Sequence, residues 1–271
     1  MRIVSRITFS ISRALYFISE KLYRLIAIFD ALNVAVLTPE EMAVIGRKVY
    51  NRLADSFSTE ESIMAGLVDW EREAVERFAA GKGSFLVLGA GGGREAIALA
   101  KMGFRVVGID SSPVMLRVGQ QNAERWKAAV DFREGDFLSL DTGDEKFDYC
   151  LLSCVMYGSI PSSEMRVRAL RHIRKILSDK SILIIHFLLR PKNATDRGKN
   201  IKLRVARLVR GNTGYQSGDT FSTALHFMRY FPDDTEVISE VSQAGFRILD
   251  KGAYPESEYM VLSPANSQPA Q

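Results

Sequence analysis

The chain has 271 residues, 46% hydrophobic and 25% charged, which excludes a disordered, collagenous or coiled-coil polypeptide and leaves room for one large domain with an appendage. Its 36 basic and 32 acidic side chains give a net charge of +4, which permits an anionic partner without requiring one. The two cysteines, Cys150 and Cys154, are too few for a disulfide framework or a four-ligand zinc site; their place in one apolar run predicts buried, reduced thiols in a cytoplasmic protein.

Residues 1–36 are apolar and mildly basic, and Arg6, Arg13, Glu20, Lys21, Arg24 and Asp30 interrupt them too often for a bilayer span. No compact apolar core with a small-residue cleavage site marks a secretory signal. Ile7, Ile11, Leu15, Ile18, Leu22, Leu25 and Phe29 recur in steps of three and four, which predicts a helix over residues 3–29. Phe9, Tyr16 and Tyr23 form a second stripe. Such a helix either packs on the domain, as a lid over its site, or lies on a membrane surface with its arginines near anionic lipid.

Thr38-Pro39-Glu40-Glu41 reads as a helix start, with Thr38 as cap and Glu41 closing a capping box. One further helix is expected after Ser58, so residues 1–80 form an N-terminal helical cap. From residue 84 the pattern changes. Short runs of Val, Ile and Leu predict strands at 85–88, 105–109, 130–134, 147–152 and 182–187, and helices at 94–101, 113–127 and 164–177 lie between them. Helical crossovers make those strands parallel neighbours, so the fold class is α/β, a doubly wound, mostly parallel sheet. Residues 246–249 and 259–262 are too close for a crossover and should pair antiparallel at one edge, bringing the sheet to seven strands. The expected domain spans 81–265, with a basic insert at 190–220 whose residues 201–209 have the spacing of a short amphipathic helix. Residues 225–231 read as extended, 232–244 as a helix, and 266–271 as a loose terminus.

The segment FLVLGAGGGREAIALAKMGFRVVGID, residues 85–110, is the most informative. A strand runs into Gly89-Ala90-Gly91-Gly92-Gly93, a helix follows, and the next strand ends in Asp110. Glycines let the backbone turn sharply and let a ligand approach, the helix start offers unpaired N–H groups, and an acid closing the second strand suits a ribose diol. The spacing fails the dinucleotide fingerprint, which needs glycine where Arg94 stands, and no Lys-Ser or Lys-Thr pair supports a triphosphate loop.

The segment resembles motifs I and II of the class I S-adenosylmethionine-dependent methyltransferases. Glu134-Gly135-Asp136-Phe137, Phe147-Asp148-Tyr149-Cys150-Leu151-Leu152, the helix around His172 to Ser178, and His226 to Phe231 with Ala244-Gly245-Phe246 are similar to later pieces of that family, in order, over residues 84–262. The resemblance implies S-adenosylmethionine as cofactor and S-adenosylhomocysteine as product. It assigns Gly89, Ala90, Gly91 and Gly93 to the methionine part, Asp110 to the ribose, and Ser111, Asp136 and Phe137 to the adenine; Leu152 and Ser153 would line the methionine end. Val87 stands where the family often carries an acid.

Transfer from a sulfonium needs a general base only where the acceptor arrives protonated. His186 and His226 are the candidates, and Tyr157 is a candidate acceptor contact. No cluster has metal-ligand spacing, so no metal is expected. A small-molecule acceptor is expected first. An RNA or protein acceptor docking through residues 190–210, a lipid-like acceptor reached through residues 1–36 at a membrane, and a non-catalytic nucleoside-binding scaffold stay open.

Overall fold

A computed structural model describes residues 3–52, 54, 59–79, 82–136, 138–140, 142–191, 199–222 and 226–265. The part before the sheet is helical: α1 (Ile3–Val36), α2 (Pro39–Arg52), α3 (Glu60–Ala65) and α4 (Asp69–Phe78). The Thr38 capping box forms as expected, with the Thr38 N–H donating to Glu41 at 2.8 Å and the Glu41 N–H donating to the Thr38 hydroxyl at 3.2 Å. The single helix expected after Ser58 is two. Gly66 ends α3 with φ +62°, and Val68 starts α4, its N–H donating to Glu71 at 2.9 Å.

Seven strands follow: β1 (Ser84–Leu88), β2 (Arg105–Asp110), β3 (Val130–Glu134), β4 (Phe147–Leu152), β5 (Leu177–Leu188), β8 (Phe246–Tyr254) and β9 (Ser257–Pro264), in the order β3-β2-β1-β4-β5-β9-β8. Between the first five run α5 (Arg94–Lys101), α6 (Pro113–Arg125), the short α7 (Met156–Ser159) and α8 (Ser163–Ile176). After β5 come α9 (Lys199–Val209), the small hairpin β6 (Asp219–Phe221) and β7 (Phe227–Arg229), and α10 (Thr235–Gln243). The first five strands pair in parallel, and β9 inserts antiparallel between β5 and β8 at the far edge.

Strand β1 is buried along its whole length, and its alternate side chains feed two cores. Leu86 and Leu88 join Ile109, Leu152, Leu170, Phe187 and Phe231 on one side. Phe85 and Val87 join Trp70, Leu99, Leu151 and Val261 on the other. The strand order reverses between β1 and β4, which places the crevice of an open α/β sheet at their carboxyl ends.

The expectation of two buried thiols needs correcting. Cys150 is fully buried in β4, but Cys154 is exposed, because β4 ends at Leu152 and Cys154 sits in the turn beyond it with φ +43°. Helix α1 also departs from a lid packed on the domain. Its end is anchored, with Val34 and Ala35 fully buried and the Asn212 N–H donating to the Ala35 carbonyl at 3.0 Å. Over residues 7–29, however, the large apolar side chains are exposed, and it is α2, not α1, that spans the crevice. Among the described residues no helix is long and apolar enough to cross a membrane. The expected loose terminus 266–271 lies outside the described residues, as do parts of the insert and the domain boundary expected at 80–81.

Candidate active site

The crevice is built from the turns that follow β1, β2 and β4. The N–H groups of Gly89 and Ala90 both donate to the Ile109 carbonyl, at 2.8 and 3.0 Å, which folds the glycine loop back over β2. Gly89 has φ +73°, and a Cβ there would lie 2.8 Å from the Met156 side chain, so any other residue would be both strained and crowded. Gly93, at φ +93°, caps the start of α5.

Asp110 closes β2. Its carboxylate accepts from the Gly91 N–H at 2.9 Å and the Ser112 N–H at 2.8 Å, and burial pushes its pKa up against the pull of those backbone bonds. Ser112 caps α6 and donates to Asn51 of α2 at 2.5 Å. Asp136, beyond β3, takes the Leu138 N–H at 2.9 Å on one oxygen and Arg47 of α2 at 2.8 Å on the other. Helix α2 is thus tied down at two points across the crevice. Phe137 lies outside the described residues. Leu152 points into the core beside Leu88, whereas Ser153 donates through its hydroxyl to the Glu95 carboxylate.

Glu95 belongs to a buried ionic group below the glycine loop. Arg94 donates to both oxygens of Glu71, at 2.8 and 2.9 Å, to Glu95 at 2.5 Å and to the Gly66 carbonyl at 2.7 Å. Glu71 is fully buried; burial and the nearby Glu95 push its carboxyl up, and Arg94 opposes them.

A half-open cleft of about 530 Å³, its mouth included, runs between α2 and the sheet. Met42, Ala43, Gly46, Arg47 and Tyr50 form one wall, Met156, Ile160 and Pro161 another, and Ser111, Asp136 and His226 supply polar groups. The Tyr50 hydroxyl is 3.2 Å from Nε2 of His226. Nδ1 of His226 is buried with no hydrogen-bond partner among the described residues, and burial lowers the ring's pKa from its usual 6.5.

The other candidates are elsewhere. His186 lies flat on Trp70, centroids 4.5 Å apart at 8°, its Nδ1 3.2 Å from the Cys154 carbonyl; burial lowers its pKa to about 4, and it does not line the cleft. Tyr157 is fully buried and donates to Glu240. It belongs to an ionic core in which Arg166 bonds Glu240 at 2.9 Å and Glu236 at 2.7 Å, and Arg229 bonds Asp219 at 2.8 Å. That network holds the β6–β7 hairpin, and so the segment bearing His226, against α8 and α10. Sequence reasoning had not singled out Arg47, Tyr50, Asn51 or Glu71. The signal for α2 was its face: residues 43, 46, 47 and 50 share one side of a helix by their spacing.

Residues 85–180 match the family model described as a methyltransferase domain. The chain is 38% identical over 66 residues to a ubiquinone biosynthesis O-methyltransferase from Azorhizobium caulinodans, 24% of this chain and 26% of that one. It is 31% identical over 110 residues to a demethylmenaquinone methyltransferase from Tropheryma whipplei, 39% of this chain and 45% of that one. The aligned regions thus span a quarter to just under half of those relatives' lengths. Among solved structures, an S-adenosylmethionine-dependent methyltransferase from Methanosarcina mazei superimposes with a TM-score of 0.59 at 14% identity, over 73% of this chain and 98% of that one. Residues 85–180 thus carry a methyltransferase domain, and the mostly parallel seven-stranded sheet is the fold of that solved S-adenosylmethionine-dependent methyltransferase.

Proposed function

We propose that the chain is an enzyme that moves the methyl group of S-adenosylmethionine to an oxygen or nitrogen of a small, largely apolar acceptor, releasing S-adenosylhomocysteine. One observation carries this reading: Ser111 and Asp136, beside Asp110, line the same cleft as the apolar wall of α2 and the Tyr50–His226 pair. The residues fit the cofactor. Asp110 presents a half-buried carboxylate beside a glycine-rich loop, as a ribose diol requires, and Asp136 would take the adenine amino group by sharing or displacing Arg47. When bound, the cofactor supplies an electrophilic methyl group on a sulfonium. Gly89, Gly91 and Gly93 would let its methionine part approach, with Ser153 at the far end.

His226 would take the acceptor's proton. Its lowered pKa keeps the ring neutral at pH 7, and Tyr50, whose pKa is raised by burial and then by Asp110, stays a neutral hydroxyl that orients it. The names of the two relatives, an O-methyltransferase of ubiquinone biosynthesis and a demethylmenaquinone methyltransferase, support a quinone-type acceptor. The test is transfer from methyl-labelled S-adenosylmethionine into cell extract separated into small-molecule, lipid, RNA and protein fractions. Label in the organic-soluble small molecules is expected; label confined to RNA or protein overturns the reading.

A further inference from the structure

Helix α1 carries an apolar surface that the fold leaves in water. Ile11, Leu15, Ile18 and Leu22 are each more than half exposed, although their spacing puts them on one face. Phe9, Tyr16 and Tyr23, each about two-thirds exposed or more, form the second stripe. Over the 23 residues from 7 to 29 the helix is roughly 35 Å long, at about 1.5 Å per residue. Monomeric soluble proteins rarely leave so long an apolar stripe open, and such stripes mark interaction surfaces.

Charge indicates what covers it. Helix α1 packs on β6 and on α9, and α9, Lys199–Val209, has four basic and no acidic side chains, with Arg204, Arg207, Ile201 and Leu208 exposed. Together the two helices hold eight basic and two acidic residues, while the whole chain is only +4, so the rest of the protein is net negative. The basic charge is therefore segregated onto the elements that carry the uncovered apolar side chains. A second copy of the chain would bring like charge onto like charge, and a two-helix seam along the aliphatic stripe would leave Phe9, Tyr16 and Tyr23 in water. A bilayer surface rich in anionic lipid meets both features, because acyl chains take the aliphatic stripe, phosphates take the arginines and lysines, and tyrosines suit the headgroup level.

We propose that α1 and α9 form a membrane-docking surface that seats the protein on anionic lipid, α1 lying in the plane of the interface. This goes beyond the reaction proposed above and does not depend on it. The test is flotation of the full chain with phosphatidylcholine vesicles and with vesicles containing phosphatidylglycerol, at about 0.1 M and about 0.5 M salt. The protein is expected to float with the phosphatidylglycerol vesicles only, and less at the higher salt. Ile18→Glu combined with Leu22→Glu should cut the bound fraction at least about tenfold. Both side chains are exposed, so circular dichroism and thermal melting should match the parent. Arg204→Ser with Arg207→Ser should weaken binding and flatten its salt dependence. Failure to float with either vesicle overturns the proposal, as does unchanged flotation of the Ile18/Leu22 variant. A stable dimer that the same variant dissociates, with no vesicle binding, assigns the stripe to a second copy instead.

Discussion

The hydroxyl of Tyr50, on a helix that precedes the sheet, lies 3.2 Å from Nε2 of His226, 176 positions later. Both line the cleft that also reaches Ser111 and Asp136. The contact depends on two anchors: Arg47 and Asn51 pin α2 to Asp136 and Ser112, and the Arg229–Asp219 pair joins β6 and β7, the strands on either side of His226.

If His226 is the base, His226→Gln should lower kcat by roughly 10²- to 10⁴-fold, the range for general-base loss, with cofactor affinity unchanged. The sign of the pH effect follows from the lowered pKa: the ring protonates, and activity falls, only as pH drops below the usual 6.5. Methyl-transfer rates against pH, with calorimetry of S-adenosylhomocysteine binding, check both. An acid limb at or above pH 6.5, or a variant with normal kcat, removes the role.

Asp110→Asn should weaken S-adenosylhomocysteine binding about a hundredfold, since two hydrogen bonds to a charged acceptor are together worth roughly 3 kcal/mol. Because burial raises the folded carboxyl's pKa, parent affinity should drop on acidification at a pH above the ordinary aspartate range of about 4. Calorimetric titration at several pH values measures it. A pH-independent affinity across that window would count against the ribose assignment.

Arg94→Ala strands Glu71, which is fully buried, and removes the partner of Glu95. The expected loss of stability is about 3–5 kcal/mol, as for other buried ion pairs broken on one side. Urea unfolding reads it directly, and Arg94→Lys, which keeps the charge but loses the two-pronged bond, should cost less. A loss under about 1 kcal/mol would mean the carboxylates find other partners or protonate freely.

Native protein should present one thiol to an aromatic disulfide reagent and two after denaturation, because Cys154 is exposed and Cys150 is not. Cys154 directly follows Ser153, at the expected methionine end of the site, so saturating S-adenosylhomocysteine should slow the native reaction. Two reactive thiols in the native protein, or none, would contradict this placement, and labelling indifferent to the ligand would move the methionine end elsewhere.

The central sheet was readable from local pattern. Strands at 130–134 and 147–152 and the helix at 94–101 have the expected bounds, because the edge strand β3 alternates apolar with charged residues, β4 ends in a buried apolar run, and the helix shows its own period. The glycine loop and Asp110 were equally legible, since their chemistry is carried by residues adjacent in the chain. Gly66, which splits the expected helix after residue 58, shows the limit of reading by composition alone.

The α/β class, the crevice at the end of β1 and the acid that closes β2 follow from local pattern in the chain, because all of them depend on short-range geometry. Which histidine reaches the cleft is set by long-range packing. His186 ends a strand near the crevice in the chain, yet it stacks on Trp70 from a helix 116 positions earlier. His226 enters the cleft because an ionic core of Arg166, Arg229, Glu236 and Glu240 positions its hairpin. The same is true of Tyr157, drawn into that core by Glu240, and of α1, for which the sequence left packing on the domain and an uncovered apolar stripe both open. Such outcomes depend on which distant surfaces pack first and best, and that is settled by burial and charge pairing across the whole fold.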